Sequence, residues 1–291
     1  MTATTTQNSV AVATSADNTE GAVKYFDLIT RGIGFVSRIR DVQGKARASR
    51  KPGAPSVYCT ITVPLDPQGT PAARWTAFDV RVCGADALAY INTLRNDIAA
   101  GTKPRIAFSI GDTYADAYIS KNGANTGKPS VNFKGRLLKA SPAVASSEPT
   151  VLTTYGVASV TNVQLRDKPG REPVLATLGA LHGQVDAADA LFIDSLAMNE
   201  ECADALMTVH ALKNEDAANK VLIGFEVQEL FAIPFVYTSI NAKAGQAGSN
   251  VFGKLTKVKW MRLNGTRIDN VTASAETPVD DATSTEASTL A

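Results

Sequence analysis

VNFKGRLLKA at residues 131–140 and SNVFGKLTKV at residues 249–258 read as two versions of one strand. Overlaid, they pair Gly135 with Gly253, Arg136 with Lys254, Leu137 with Leu255 and Lys139 with Lys257. Working outward, AFSIGDTYADAY (107–118) lies without a gap on GFEVQELFAIPF (224–235), setting Phe108 on Phe225, Tyr114 on Phe231 and Tyr118 on Phe235. Phe78-Asp79 pairs with Ile193-Asp194, and VSRIRDVQ (36–43) with VASVTNVQ (157–164). Four anchors in one order at nearly one spacing indicate an internal duplication, and a missed repeat misassigns the architecture.

The repeat divides the chain. Residues 1–23 and 271–291 are rich in Thr, Ser and Ala and poor in large apolar groups, which predicts disorder. The first copy spans 24–140, SPAVASSEPT (141–150) reads as a linker with two prolines, and the second copy spans 151–270. Each copy has the size of an ordinary domain.

Alternation marks the strands. In copy 1, GFVSRIRDV (34–42), VYCTITV (57–63) and WTAFDVRV (75–82) precede a segment of different period. There Leu88, Ile91, Leu94 and Ile98 recur at helical spacing over 85–101, and Gly101 suits the position after the helix. RIAFSIGD (105–112) and VNFKGRLLK (131–139) return to alternation. Copy 2 repeats the order with GVASVTNV, VLATLGAL, LFIDSLAM, a helix over 199–218, VLIGFEVQEL and NVFGKLTKV. Three strands, a helix and two strands predict a mainly β chain of two tandem OB-fold-like, five-stranded Greek-key barrels, each with a helix between strands 3 and 4. An SH3-like barrel normally lacks such a helix, and a ferredoxin-like sandwich needs two.

Charge separates the copies. Residues 24–140 hold 18 Lys+Arg against 8 Asp+Glu, a net of +10, whereas 151–270 hold 11 against 13, a net of −2. The near-neutral total of +1 therefore conceals one strongly basic domain, which points to a polyanionic partner.

Side chains flip at every strand residue, so the apolar set of each strand defines its opposite face. That face carries Tyr58 and Thr60 on the second strand, Trp75, Asp79 and Arg81 on the third, Arg105 on the fourth, and Lys134 and Arg136 on the fifth. Arg38 and Arg40 share one face of the first strand, although a bulge near Phe35-Val36 would decide which. The loop VQGKARASRKPGAPS (42–56) adds Lys45, Arg47, Arg50 and Lys51. Aromatic groups interleaved with cations suit sequence-tolerant single-strand binding, because bases stack on rings while cations track phosphates. Single-stranded DNA is the expected partner, with RNA left open. Copy 2 has Leu175 for Tyr58, Ala190 for Trp75 and Leu196 for Arg81, and only Lys254 keeps the place of Arg136. Its apolar surface reads as structural, docking on copy 1 or forming a homodimer.

No catalytic constellation emerges. His182 and His210 are the only histidines, and HExxH, GxSxG and Walker-A patterns are absent, so no enzyme, metal or cofactor is expected. Cys59, Cys83 and Cys202 form no CxxC pair and fit a reducing cytosol. No run approaches the ~18 apolar residues of a membrane span, and the N-terminus lacks the features of a secretory signal. The expected location is cytoplasmic, without a membrane partner.

KYFDLITRGIGFVSRIRDV (24–42), FDVRVCG (78–84), FSIGD (108–112) and KGRLLK (134–139) together resemble a bacterial family carried by integrative and conjugative elements, whose members are labelled element replication proteins. Members are typically one domain long and end in a GRLL-like pattern followed by a Trp-bearing strand. Here the resemblance covers 24–140, and the Trp-bearing ending is displaced to KWMRLNG (259–265). The resemblance implies DNA handling in replication or conjugative transfer of a plasmid or mobile element, in the manner of a single-stranded-DNA-binding protein, with replication or conjugation proteins as further partners. The acidic tail is similar to those by which such proteins recruit partners, but it ends STLA without an aromatic tip.

Overall fold

The structure is a computed structural model that describes residues 25–43, 55–66, 73–143, 151–165, 174–238 and 243–268. The segments 1–23 and 271–291, for which disorder is expected, lie outside the described residues.

The first barrel is built from β2 (Ile29–Val42), β3 (Ser56–Pro64), β4 (Trp75–Val82), β5 (Arg105–Ile119) and β6 (Pro129–Pro142). A two-residue β1 (Tyr25–Phe26) precedes them, and α1 (Ala85–Thr93) and α2 (Arg95–Ala99) lie between β4 and β5. The second barrel holds β7 (Thr153–Leu165), β8 (Val174–Gln184), β9 (Asp189–Ala197), α3 (Glu200–Glu215), β10 (Val221–Val236) and β11 (Ala247–Leu263), followed by β12 (Thr266–Ile268). Pairing runs β2–β3–β4–β6–β5 and back to β2, then β7–β8–β9–β11–β10 and back to β7. β4–β6 and β9–β11 are the parallel seams. This is the OB strand order, with the helix between strands 3 and 4, made twice. Closure is uneven, because the parallel seam registers five residue pairs in the first barrel and four in the second.

Alternation places the cores. β3 buries Cys59, Ile61 and Val63, and β4 buries Thr76, Phe78, Val80 and Val82. Ala87 and Ile91 of α1 and Cys202, Leu206 and Val209 of α3 are also buried. The helix expected over 85–101 is broken at Leu94, whose N–H bonds to the Ile91 carbonyl three residues back rather than four. Gly101 takes a φ of +86°, as its place after the helix requires.

Two expectations change. The first-strand anchor of the repeat is displaced by three residues. Val36 pairs with Ile61 and Val160 with Leu178, so Val36 corresponds to Val160 rather than Val157. Each first strand buries the residue just before its bulge, and matching on the V-Q ending of both segments missed that constraint. β5, β6, β10 and β11 also run several residues beyond their predicted ends. Ser141 and Pro142, assigned to the linker, pair with Ala107 and Ile106.

The extension has a duplicated cause. Asp112 and Glu229 hold positive φ of 53° at bulges in β5 and β10, and their N–H groups bond to the carbonyls of Leu28 and Leu152, each at 2.9 Å. The bulges turn the strands out of the barrels into arms. At the centre, β2 and β7 pair antiparallel around Thr30 and Thr154, joining the barrels into one sheet. The Thr30 hydroxyl lies 3.0 Å from those of both Thr154 and Thr113, and all three residues are fully buried. The Thr76 hydroxyl donates to the Leu230 carbonyl at 2.7 Å, and Tyr114 stacks on His182 with centroids 6.5 Å apart. Copy 2 thus docks on copy 1.

Candidate nucleic-acid interface

Register places the candidate residues in rows across the outer face of the first barrel. One row runs Arg136–Arg81–Tyr58–Arg40 across β6, β4, β3 and β2. The next runs Lys134–Asp79–Thr60–Arg38. Arg38 and Arg40 reach this face because a bulge between Val36 and Arg38 reverses the alternation of β2. Trp75 lies opposite Pro64 at the far end of β4 and is 51% exposed. Six residues of strand put it about 20 Å from Arg81. Arg105 stands apart, paired with Phe35 around the bend of the barrel. Lys45, Arg47, Arg50 and Lys51 lie outside the described residues.

Counter-charges divide the cations into two groups. Arg40 forms a bidentate pair with Asp79, both bonds 2.7 Å, while its guanidinium lies 5.3 Å over the Tyr58 ring. Lys134 sits 3.5 Å from Asp79 and 3.2 Å from Asp116. Arg136 donates from Nε to Asp112 at 2.7 Å. Arg38, Arg81 and Arg105 are exposed and hold no ion pair among the described residues. Burial of the Asp79 carboxyl raises its pKa, but the Arg40 bonds and charge, with Lys134, outweigh this and hold it below the ordinary carboxylate range. Among the described residues, the face is therefore a fixed ionic lattice bearing two uncommitted guanidiniums, those of Arg38 and Arg81, with that of Arg105 around the bend.

Sequence reasoning overlooked Asp112, Asp116, Tyr114 and Tyr118 as parts of this face. Tyr114 pairs with Lys134 and Tyr118 with Ser130, and these tyrosines are 45% and 40% exposed. The even spacing of Tyr114, Asp116 and Tyr118 was the available signal. It lay beyond the bulge, past the assigned end of the strand.

The second barrel repeats the geometry with different chemistry. Leu175, Leu196 and Lys254 occupy the places of Tyr58, Arg81 and Arg136. The corrected register sets Asn162 at Arg38 and Gln164 at Arg40. Phe252 replaces Lys134 and stacks on Phe231, which replaces Tyr114, with centroids 5.3 Å apart. The Lys254–Glu229 pair at 2.5 Å repeats Arg136–Asp112.

No group of three metal-ligating side chains occurs among the described residues, and none of their helices is long and apolar enough to cross a membrane. Burial pushes the Cys59 thiol up to about 12 and that of Cys202 to about 11, so neither is a thiolate near neutral pH.

Among solved structures, a deletion variant of the single-stranded DNA binding protein from Thermus aquaticus is similar at 10% identity and a TM-score of 0.43, over 87% of this chain and 99% of that one. The wild-type form of that protein gives 11% identity and 0.40, over 87% and 97%. The OB assignment rests on this chain's own strand order. None of the curated proteins matches. The family model described as Protein of unknown function (DUF3577) matches twice, over residues 19–151 and 147–276. Each match takes in one barrel, and the chain belongs to the DUF3577 family as a tandem of two family domains.

Proposed function

We propose that this protein binds single-stranded DNA without catalysis and with little sequence preference, along the outer face of the first barrel. The observation that carries the reading is the placement of exposed Trp75, Tyr114 and Tyr118 on one continuous sheet face with Arg38 and Arg81, which form no ion pair among the described residues. Ring faces accept any base, and guanidiniums free of carboxylates are available to phosphates. The site comprises Arg38, Arg40, Tyr58, Trp75, Arg81, Arg105, Lys134 and Arg136, with Lys45, Arg47, Arg50 and Lys51 of the 42–56 loop. In this reading residues 24–140 carry the charge-driven affinity, and 151–270 are structural. The family resemblance supports action in replication or conjugative transfer of a mobile element in the cytoplasm, with replication or conjugation proteins as partners.

A homodimer is part of the proposal. Ile33, Phe35, Val157, Leu222 and Trp260 line the outer side of the joined sheet and are only half-buried in the single chain. Sedimentation velocity decides between monomer and dimer.

The interleaving of Asp79, Asp112 and Asp116 among the cations favours a second reading, an adaptor whose barrels bind protein. Fluorescence anisotropy with labelled oligo(dT), its RNA counterpart and a duplex of equal length separates the two. Tight binding of the single strand over the duplex supports the proposal. Absence of single-strand binding leaves the adaptor.

A further inference from the structure

The outer face of the second barrel is concave. A cavity of about 390 Å³ opens where the first barrel carries Tyr58, Arg81 and Lys134. That volume lies near the low end for small-ligand sites. Phe231 and Phe252 stack along one side, with their planes 25° apart, and Leu175 and Leu196 also line the space. Asn162 and Gln164 contribute amides that make no hydrogen bond among the described residues. Charge balances here: Arg74 and Lys254 face Glu229 and Asp194. Arg74 bonds to Asp66 at 2.8 Å and reaches Glu229 at 3.4 Å, so it is already committed.

These features select against a phosphate and for a flat, uncharged group with an apolar face and a hydrogen-bonding edge. An unpaired nucleobase has that chemistry. The groove also adjoins the first barrel's face. Arg74 immediately precedes Trp75, and its guanidinium lies 5.1 Å over the Phe231 ring. Phe192, which is 58% exposed, adds a third ring two residues along β9 from Asp194.

We propose that this groove is a charge-neutral subsite for unpaired nucleobases, lying on the same strand path as the cationic face. The inference rests on the proposed single-strand binding and replaces the purely structural role of the second barrel with a division of labour. The first barrel holds the backbone, and the second takes bases by packing against Phe252, Leu175 and Leu196, the Phe231 ring being covered by Arg74 and Phe252, and by hydrogen bonds from Asn162 and Gln164. A site without phosphate contacts contributes little alone. It gains from being tethered to a site that already holds the strand.

The test uses the full chain and a labelled oligo(dT) long enough to span both barrels, titrated at several salt concentrations. Phe252→Ala should weaken binding about 5- to 150-fold, the range expected for loss of one stacked base. The slope of log K against log salt should not change, because no phosphate contact is lost. Gln164→Ala guards against a folding artefact, since that side chain is exposed and makes no hydrogen bond among the described residues; it should weaken binding about 2- to 10-fold with an unchanged melting temperature. Wild-type affinity in both variants would overturn the subsite while leaving the proposed function standing. Failure of the wild-type chain to bind oligo(dT) would remove both.

Discussion

Asp79 shows how one residue serves both fold and face. Its carboxylate is nearly buried on the outer side of β4, and the Arg40 fork holds it from β2, across the intervening β3. Replacing it leaves a half-buried guanidinium without its partner, so Asp79→Asn should cost about 1–3 kcal/mol near neutral pH. Because the folded pKa is depressed, this contribution is present above the unfolded value of about 3.9 and is lost as pH falls through the folded value. Melting curves of both proteins from neutral pH downward should converge below about pH 4. A gap independent of pH would contradict the role given to the pair. Trp75 serves the face alone. Its exposed ring predicts that Trp75→Ala keeps the wild-type melting temperature and weakens single-strand binding by about 1–3 kcal/mol. A large stability loss with intact binding would place the ring in the core. At this scale sequence periodicity was a good guide, since Trp75, Asp79 and Arg81 do share one face of β4 opposite Thr76, Phe78, Val80 and Val82. Periodicity could not report that Arg40, Lys134 and Arg136 are neutralised, because their partners Asp79, Asp116 and Asp112 lie on other strands.

Among the elements, bulges decide most of what alternation alone could not show. The bulge after Val36 turns Arg38 and Arg40 outward, and the Asp112 bulge carries β5 into an arm bearing Tyr114 and Tyr118. Asp112 is also a direct test of the ionic lattice. Asn tolerates its left-handed backbone well, so Asp112→Asn should fold normally while releasing Arg136. Single-strand affinity at low salt should rise, and the salt slope should steepen by up to about 0.7. Unchanged affinity would mean that Arg136 does not meet the strand. The joint between β2 and β7 offers a second test. Thr30→Val strands the buried hydroxyls of Thr113 and Thr154, at a cost of about 1–3 kcal/mol. Replacing all three threonines by Val should recover most of that loss, which thermal or urea unfolding would read. One hairpin was legible and overlooked. Asn264-Gly265 turns β11 into β12 with φ of 50° and 89°, the signature of a type I′ turn, inside a stretch read only for family likeness.

For the whole molecule, duplication allowed the two barrels to diverge without disturbing the shared sheet. The strand order and the charge split of +10 against −2 were both legible in the sequence. The joint was not. Pairing of β2 with β7, the Thr30–Thr154 contact and the Thr76–Leu230 bond are contacts between residues more than 100 positions apart, and no local pattern announces them. Because the barrels share that buried joint, binding is best dissected in the full chain rather than in separated halves. The central claim is that unpaired guanidiniums on the first barrel hold the phosphates of a single strand. Each phosphate contact contributes about 0.7 to the slope of log K against log salt for single strands. The most direct measurement is therefore a salt titration of oligo(dT) binding by fluorescence anisotropy, comparing the wild-type chain with the Arg38→Ala/Arg81→Ala double variant. The account predicts tight wild-type binding at low salt and a slope about 1.4 shallower in the variant, with unchanged melting. Identical slopes in the two proteins, or no binding of the single strand by the wild type, would contradict it.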